Sequence, residues 1–331
     1  MGDFERRVLR LVSEGKLTAE EGEELLHSHE RGTLRDLRTV VEDSLSGVGR
    51  VVREHTEPDV QELLRAELPE ADEPLELRIA GDFGLALMPG DEGICRAVWS
   101  VGRPLFGEVP PPPEVRLDGR TLRVEGRARY GFGLGMPFAG YSLDIYLPPA
   151  TRLAGGVAQR LGRVRIDDLA VESLRLDTQN GRVQVEVPSI KELQVTSRNG
   201  SIEVSASEAG KVRVDAYNGR VALRGALRDV DAMTRNGRIE ADLKPVRGGN
   251  CRLQTLNGAV ELELAYAIAC QLSAETVHGP ISVDMPNLTI QEDVRDFSRR
   301  RLRGQTSGSE GDLVAELGTT NGAVRVVQHA R

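Results

Sequence analysis

The chain of 331 residues carries a formal net charge of −8, and only 4% of it is aromatic. The length allows two or three domains with a sizeable core, while the acidic balance and the few aromatic residues argue against a nucleic-acid partner or a stacking surface for sugars. Cys95, Cys251 and Cys270 are widely spaced and form no CxxC pair. We therefore expect free thiols in a reducing compartment, with no disulfide framework, no metal site and no cofactor.

The first residues contain no apolar segment of the kind found in secretory signals, and no window of 18 consecutive apolar residues occurs. We therefore expect no transmembrane segment and a cytoplasmic location. The alternative is a peripheral place at the membrane, or at the cell surface after non-classical export.

Residues 1–32 are predicted to form a helical hairpin. Val8 and Leu11 share one face of the first helix. Thr18 and Glu21 match a capping box, in which each side chain accepts a hydrogen bond from the backbone amide of the other residue. Two helices this short bury too little apolar surface to be stable alone, so we expect them to pack on each other and on a further surface.

Residues 33–72 are predicted to form an amphipathic helix followed by a linker. Leu34, Leu37 and Val41 recur at intervals of three or four residues, which is typical of one apolar helical face. This face would serve self-association or docking of a protein partner through residues 1–55, or it would pack on the body of the same chain. The pattern leaves both possibilities open.

Residues 73–150 are rich in strand-forming segments without a repeat, and a Pro-rich stretch, GEVPPPPEV, interrupts them. The open end of a stack of strands is an exposed edge that has to be covered. We predict that this β-rich region forms the cap and the first coils of the repeat that follows it.

Residues 151–331 contain a repeated unit that is marked by the pair Asn-Gly. Successive marks are 19, 19, 18 and 21 residues apart; a further step of 21 leads to His278, which replaces an asparagine, and a step of 43 leads to the last mark. Apolar and polar residues alternate on both sides of each mark, which predicts two half-buried strands per unit. The marks are Asn180, Gly181, Asn199, Gly200, Asn218, Gly219, Asn236, Gly237, Asn257, Gly258, Asn321 and Gly322.

Two architectures fit this repeat. Asn-Gly is typical of tight hairpins, so the units could form an antiparallel meander. We favour a parallel β-solenoid (β-helix) with rungs of about 19–21 residues, because stacking like strands would join the asparagines into a ladder of hydrogen-bonded amides. Asn, which tolerates the left-handed conformation, and the following Gly would form the corner. Small residues two positions before the mark would point inward: Thr178, Ser197, Ala216, Thr234, Thr255, Thr276 and Thr319.

The repeat, written T-x-N-G-x-[IV]-x-[VL] and preceded by YSLDIYLPPATRL, resembles the bacterial β-strand-repeat family labelled "putative adhesin". The segment RRVLRLVSEGKLTAEEGEELL resembles the short helical hairpin that opens the YvlB and LiaX branch of that family. Together these similarities cover nearly the whole chain. The resemblance implies a β-helical C-terminal domain without catalytic activity and, in some branches, a link to cell-envelope stress signalling. It implies no catalytic, cofactor-binding or metal-binding residues.

The sequence contains no motif of a known catalytic site. The five histidines are scattered, and no nucleophile elbow, P-loop or HExxH motif occurs. The glycine-rich stretch GFGLG is followed by a strand pattern and not by the helix that a phosphate site requires. We therefore expect that the protein is not an enzyme.

One cluster of like charges lies in a basic insertion near residues 286–312, which would be either a degenerate rung or a loop. The cluster would contact an anionic envelope component, such as an acidic lipid, a teichoic-type polymer or an acidic protein surface. Alternatively, its arginines would pair with neighbouring acids. It consists of Arg295, Arg299, Arg300, Arg301 and Arg303.

Together these features favour a non-enzymatic scaffold or sensor linked to the cell-envelope stress response, with a rigid β-solenoid body and a helical element for assembly or partner docking. Two alternatives remain. The first is an adhesin-like module that binds at the cell surface or cell wall, and the second is a self-assembling polymer of the bactofilin kind. Only the first alternative requires export.

Overall fold

The structure, a computed structural model, describes residues 59–102, 111–126, 141–244, 246, 248–265, 269–296, 299–306 and 313–329. These residues form strands, turns and short connections, and no helix occurs among them. The predicted helical hairpin of residues 1–32, with its capping box at Thr18 and Glu21, lies outside the described residues. Most of the predicted helix and linker of residues 33–72 also lies outside them, but Asp59–Glu67 form a strand where the sequence predicts a linker.

The described part of the chain contains 22 strands, which all belong to one continuous sheet. In chain order they are β1 (Asp59–Glu67), β2 (Leu75–Gly81), β3 (Gly84–Pro89), β4 (Ile94–Val101), β5 (Glu114–Asp118), β6 (Thr121–Glu125), β7 (Tyr141–Leu147), β8 (Arg152–Leu161), β9 (Val164–Asp167), β10 (Ala170–Asn180), β11 (Val183–Asn199), β12 (Ile202–Asn218), β13 (Val221–Asn236), β14 (Ile239–Leu243), β15 (Gly249–Asn257), β16 (Val260–Leu264), β17 (Cys270–His278), β18 (Ile281–Asp284), β19 (Leu288–Arg295), β20 (Arg300–Thr306), β21 (Leu313–Asn321) and β22 (Val324–Gln328).

Each rung consists of two strand segments separated by the Asn-Gly corner. The segments before the corner pair with one another and form the first strand stack, and the segments after it form the second strand stack. Strands β11, β12 and β13 are long because each runs from the second stack of one rung into the first stack of the next. Pairing through the body of the repeat is parallel, so the solenoid prediction is confirmed and the antiparallel meander is wrong.

The core consists of columns of inward side chains, one from each rung. Leu174, Leu193, Val212 and Val230 are register partners on four successive strands, and all four are buried. The period-two alternation of the sequence produces this arrangement because successive residues of a strand point to opposite faces. Parallel in-register stacking then places each apolar residue beside its equivalent in the next rung, so the core is continuous along the solenoid.

At one end of the stack, β6 and β7 form the outermost rung, and β2 and β3 lie between this rung and β8–β9. Antiparallel strands cover the end: β5 pairs with β6, β4 pairs with β7, and β1 pairs with β4. Residues 73–150 therefore supply both the first coils and part of the cap in the described structure. Strand β1 completes this cap from outside that range.

At the other end, the order of rungs differs from the order along the chain. Strands β21 and β22 lie between β15–β16 and β17–β18 and pair in parallel with both. The rung that comes last in the described chain is therefore the last but one in the stack. In the described residues of the basic insertion, β19 and β20 form an antiparallel hairpin that extends the first stack beyond β17.

Candidate binding surface on the first strand stack

The asparagines of the marks form one ladder along the corner. Each asparagine after Asn180 donates from Nδ2 to Oδ1 of the asparagine in the neighbouring rung, over 2.7–2.9 Å, and Asn180 accepts the first of these bonds. The ladder does not follow the chain to its end, because Asn321 donates to Asn257 and His278 lies beyond Asn321. His278 therefore does not interrupt the ladder but is the register position at its end.

The glycines of the marks are required by close packing of the backbone. A Cβ atom on Gly219 would lie 1.9 Å from the carbonyl oxygen of Gly200, and the other marks show the same approach within 1.8–2.0 Å. The asparagines do not adopt a left-handed conformation: among the described non-glycine residues, only Asp168 and Asn287 have a positive φ. The predicted left-handed asparagine at the corner is thus wrong, and stacking of rungs explains the glycine.

The small residues before each mark point inward, as predicted, and Thr255, Thr276 and Thr319 are buried. Their Oγ1 atoms donate to glycine carbonyl oxygens of the corner over 2.9–3.0 Å. The buried Oγ1 atoms of Thr178 and Thr234 find no hydrogen-bond partner among the described residues. Inward and corner positions are therefore occupied by residues that build the body, which leaves the outward side chains for binding.

We define the first-stack face as the outward side chains of β10, β15, β17, β20, β21 and the C-terminal halves of β11, β12 and β13. These side chains alternate with the buried columns, so they point away from the core. Parallel register arranges them in straight columns that run across the rungs. The face is thus a broad and regular surface.

An apolar cluster lies on the first-stack face where it meets the Asn-Gly corner. Tyr217, Met233 and Leu256 lie on three successive strands, and their exposed fractions are 46%, 40% and 40%. The guanidinium carbon of Arg235 lies 5.1 Å from the ring centroid of Tyr217, which is within cation–π range. With Val314, the first-stack face holds four of the seven exposed large hydrophobic residues in the described part of the chain.

A shallow depression of about 280 Å³ adjoins this cluster on the first-stack face. Arg252 and Glu316 form an ion pair of 2.8 Å on its wall, and Asn250 donates to Asp229 over 3.0 Å. Asp231 is half-buried and is the register partner of Arg252 on β13, and its Oδ1 has no hydrogen-bond partner among the described residues. The lining contains three bases and three acids: Lys211, Arg213, Arg252, Asp229, Asp231 and Glu316.

The predicted basic cluster lies on and beside the β19–β20 hairpin at the far end of the first stack: Arg301 and Arg303 are register partners of the outward Glu275 and Ser273, whereas Arg300, the partner of Arg295, has the register of the inward Thr276. Glu275 pairs with Arg299 at 2.5 Å and with Arg301 at 3.2 Å, and Glu292 pairs with Arg303 at 3.3 Å. Arg295 pairs with Asp293 at 2.9 Å, while Arg300 is exposed on β20. Most of these arginines are thus engaged by neighbouring acids, which weakens the case for a free anion-binding patch.

The acid at the centre of this network is held in its charged form. Hydrogen bonds from Arg299 and then from Arg301 lower the pKa of Glu275, against the opposing effect of partial burial. Glu275 lies on β17 and its arginine partners lie on or next to β20. The network therefore links the β19–β20 hairpin to the rung of β17 and β18.

The cysteines belong to the core and not to a reactive site. Cys95, Cys251 and Cys270 are free and buried, and burial raises the pKa of Cys95 to about 11 and those of the other two to about 12. No three His, Cys, Asp or Glu side chains come together as metal ligands within the described ranges. The same part of the chain holds no helix that is long and apolar enough to cross a membrane.

Sequence reasoning located the corner ladder and the basic cluster, but it missed the apolar cluster and the depression. A signal for the apolar cluster was present. Tyr217 and Leu256 directly precede a mark, and Met233 lies three positions before one, at sites where the alternation predicts outward polar residues. Apolar residues at outward positions of otherwise regular strands are the feature that would have identified this surface.

Stacked parallel rungs with a glycine corner and an asparagine ladder define a β-solenoid-like repeat protein. The chain belongs to the Toastrack DUF4097 family, whose model matches residues 111–326. Residues 3–33 match the model of a SHOCT-like domain. No curated protein matches the sequence.

Two solved structures are similar to this chain at low identity. One is described as a "putative cell adhesion protein" from Clostridium sporogenes, with a TM-score of 0.30 and 11% identity, over 82% of this chain and 100% of its own. The other is described as a "putative adhesin" from Bacteroides fragilis, with a TM-score of 0.37 and 10% identity, over 82% of this chain and 97% of its own.

Proposed function

We propose that this protein is a non-enzymatic, adhesin-like module that acts at the cell surface and binds a protein partner through the first-stack face. The observation that carries the proposal is the cluster of Tyr217, Met233 and Leu256 on three successive strands of one face. Contiguous exposed apolar side chains next to polar ones mark interaction sites. The repeat motif, which resembles that of the "putative adhesin" family, supports the class of function.

The chemistry of the face favours a protein over a polymer of sugars or phosphates. Tyr, Met and Arg are enriched in protein interfaces, and Tyr217, Met233 and Arg235 adjoin one another here. A sugar-binding face relies on several aromatic platforms, whereas Tyr217 is the one aromatic residue of this cluster. A phosphate polymer would need free cations, but the depression balances three bases with three acids.

The architecture supports the same function because it presents the face in a fixed shape. Amide ladder bonds of 2.7–2.9 Å and continuous backbone pairing hold successive rungs in register. Little conformational freedom is therefore lost when a partner docks, which favours binding by a preformed surface. Repeat proteins commonly use such extended faces for recognition.

The test compares two triple variants of the purified full chain in binding to isolated cell envelopes. Tyr217, Met233 and Leu256 are replaced by Ser in one variant, and the exposed second-stack residues Glu186, Arg224 and Glu263 are replaced by Ser in the control. We expect the first variant to sediment with envelopes at least about tenfold more weakly, since interface anchors contribute about 2 kcal/mol or more, while the control binds normally.

Two further arms decide the class of partner and the location. Protease treatment of the envelopes should abolish binding if the partner is a protein. Protease added to intact cells should digest the endogenous chain if it acts at the surface. Equal binding by both triple variants, or a chain found only in the cytosol, would contradict the proposal.

The stress-sensing role and self-association through residues 1–55 stay predictions, because those residues lie outside the described part of the chain. The first can be followed by deleting residues 1–55 and measuring the transcriptional response of cells to envelope damage. Self-association can be followed by light scattering on the full chain and on the chain that lacks residues 1–55.

A further inference from the structure

The rung formed by β21 and β22 is inserted between two other rungs of the solenoid. Its residues pair in parallel register on both sides, as in the series Thr255, Thr319 and Thr276 of the first stack. The second stack shows the same order, with Val260, Val324 and Ile281 in series. Residues 313–328 therefore occupy a slot that β15–β16 and β17–β18 define from either side.

The inserted rung satisfies hydrogen-bonding groups of both walls. Toward β15–β16, Asn321 Nδ2 donates to Asn257 Oδ1 over 2.7 Å, and Thr319 Oγ1 donates to the Gly258 carbonyl over 2.9 Å. Toward β17–β18, the Gly322 amide donates to the His278 carbonyl over 3.0 Å. Its apolar side chains are buried between the two walls: Leu313, Ala315, Leu317, Val324 and Val326.

The two walls also fit each other, because the rung of residues 270–284 repeats the rung of residues 249–264 at a step of 21. Direct contact between them would again place Thr276 beside Thr255 and His278 beside Asn257. Nothing in the spacing of the chain therefore selects the inserted order. The inserted order is selected because residues 313–328 fit the edges of both neighbouring rungs. The same residues would fit these edges equally well if they came from another copy of the chain.

A second copy of the chain carries the identical segment, so it presents the same hydrogen-bonding and apolar pattern to the slot. Within one chain, residues 307–312, with the sequence SGSEGD, connect the hairpin to the segment. A tether of six residues gives the chain's own segment an effective concentration at the slot in the millimolar range. During folding, a segment from a second copy therefore competes with the chain's own segment for the slot when the chain concentration approaches this effective concentration.

We propose that the slot between β15–β16 and β17–β18 accepts residues 313–328 from a second copy of this chain, which produces a rung-exchanged dimer. Exchange would have a consequence at the binding surface, because Val314 and Glu316 of the inserted rung line the depression of the first-stack face. In the dimer each depression contains residues of both copies. The proposal does not depend on what the face binds.

The test uses cysteine pairs in the full-length chain. Arg252 and Glu316 are exposed register partners, so cysteines at these positions have the Cα spacing that a disulfide requires. Full-length R252C and E316C chains are unfolded, mixed, refolded together and oxidised only after refolding, when the three native thiols are buried again. The double variant R252C/E316C, refolded alone in dilute solution, reports closure of the pair within one chain.

The matched control replaces R252C by R213C. Arg213 lies in the same outward column, but two strands separate it from the strand of Glu316, which is about 14 Å at the usual strand spacing. In an equal mixture half of the exchanges join like chains, so with an effective concentration of about 1 mM the R252C–E316C pair should form at about 0.5% of the R252C slots after refolding at a total of about 10 µM and at about a quarter of them at about 1 mM. The R213C and E316C mixture should give no such rise.

Three results would overturn the proposal. One is a cross-chain product that stays at the level of the R213C control at the highest concentration. Another is a double variant that forms no disulfide within the chain, because Arg252 and Glu316 are then not neighbours. The third is as much dimer from R252C alone as from the mixture, since exchange never brings two copies of position 252 together.

Discussion

Replacement of Gly219 by alanine tests whether close approach of the backbone is what fixes glycine at every corner. The added Cβ would lie 1.9 Å from the carbonyl oxygen of Gly200, so the two rungs must separate by more than 1 Å at this corner. Gly219 also has a φ of 145°, which L side chains rarely adopt. Both effects act at the same place, and both oppose the substitution.

The expected cost follows from what the separation breaks. Backbone hydrogen bonds from Gly200 to Asn218 at 3.0 Å and from Gly219 to Asn236 at 2.9 Å span this corner. At about 1 kcal/mol for each of the two bonds, and about 1–2 kcal/mol for the backbone conformation, the free energy of unfolding should fall by about 3–4 kcal/mol. A loss of this size is well above that of an ordinary surface substitution.

Two glycines in other environments are matched controls. Gly119 has a φ of 58° and open space around its Cβ position, so its alanine variant isolates the backbone effect, about 1 kcal/mol. Gly156 has a φ outside the left-handed region and no atom closer than 3.9 Å, so alanine should leave stability unchanged or raise it slightly. The three variants differ from the parent by one methyl group each.

The assay is guanidinium unfolding at 25 °C followed by far-UV circular dichroism, with free energies from the midpoint and slope. The expected order of stability is Gly156→Ala, then Gly119→Ala, then Gly219→Ala by a wide margin. If Gly219→Ala unfolded at the same denaturant concentration as Gly156→Ala, the close approach would not explain the glycine. If it matched Gly119→Ala, backbone conformation alone would be responsible.

Further predictions concern the ladder, the inward column and the thiols. Asn218→Ala removes two ladder hydrogen bonds and should lower the free energy of unfolding by about 2 kcal/mol, whereas Asn180→Ala removes one and should cost about half as much in the same assay. Thr255→Val removes a hydrogen bond to a glycine carbonyl and should lower the free energy of unfolding by about 1 kcal/mol. Thr178→Val should leave it unchanged, because the Thr178 hydroxyl has no partner among the described residues. Equal losses for the two variants would refute this prediction. Burial raises the pKa of the three thiols to about 11 or 12 from 9.0. The free energy of unfolding should therefore keep its full value below pH 9 and fall as the pH rises toward 12. For the same reason, thiol reagents at pH 8 should label the chain only after unfolding. Labelling of the native chain would contradict the burial.

The strands and their inward faces could be predicted because each rung repeats the same physical requirement. Alternation with period two defines which side chains are buried, and the recurring Asn-Gly defines where each rung turns. The conformation at the corner could not be read in the same way. Asn-Gly is compatible with left-handed turns, and only stacked backbones show that Gly219 is needed for the approach to Gly200.

The order of the rungs was beyond the sequence for a related reason. Every rung presents a similar edge, so both the rung of residues 270–284 and that of residues 313–328 fit β15–β16. From the sequence, one expects the rungs to stack in the order in which they follow along the chain, because this order needs only short connections. The choice between the two arrangements depends on the sum of pairings at both walls of the slot, which no local pattern reports.

The same regularity explains why the candidate site was harder to predict than the fold. Inward and corner positions are constrained by their neighbours in adjacent rungs, so they repeat and can be recognised. Outward positions have no such constraint: in the column of Met233, the register partners are Asp215 and Gln254. A binding surface on a solenoid is therefore found where the outward columns depart from polar residues, as they do at Tyr217 and Leu256. Replacing these two side chains should change what the face binds and leave the ladder, which lies on other residues, intact.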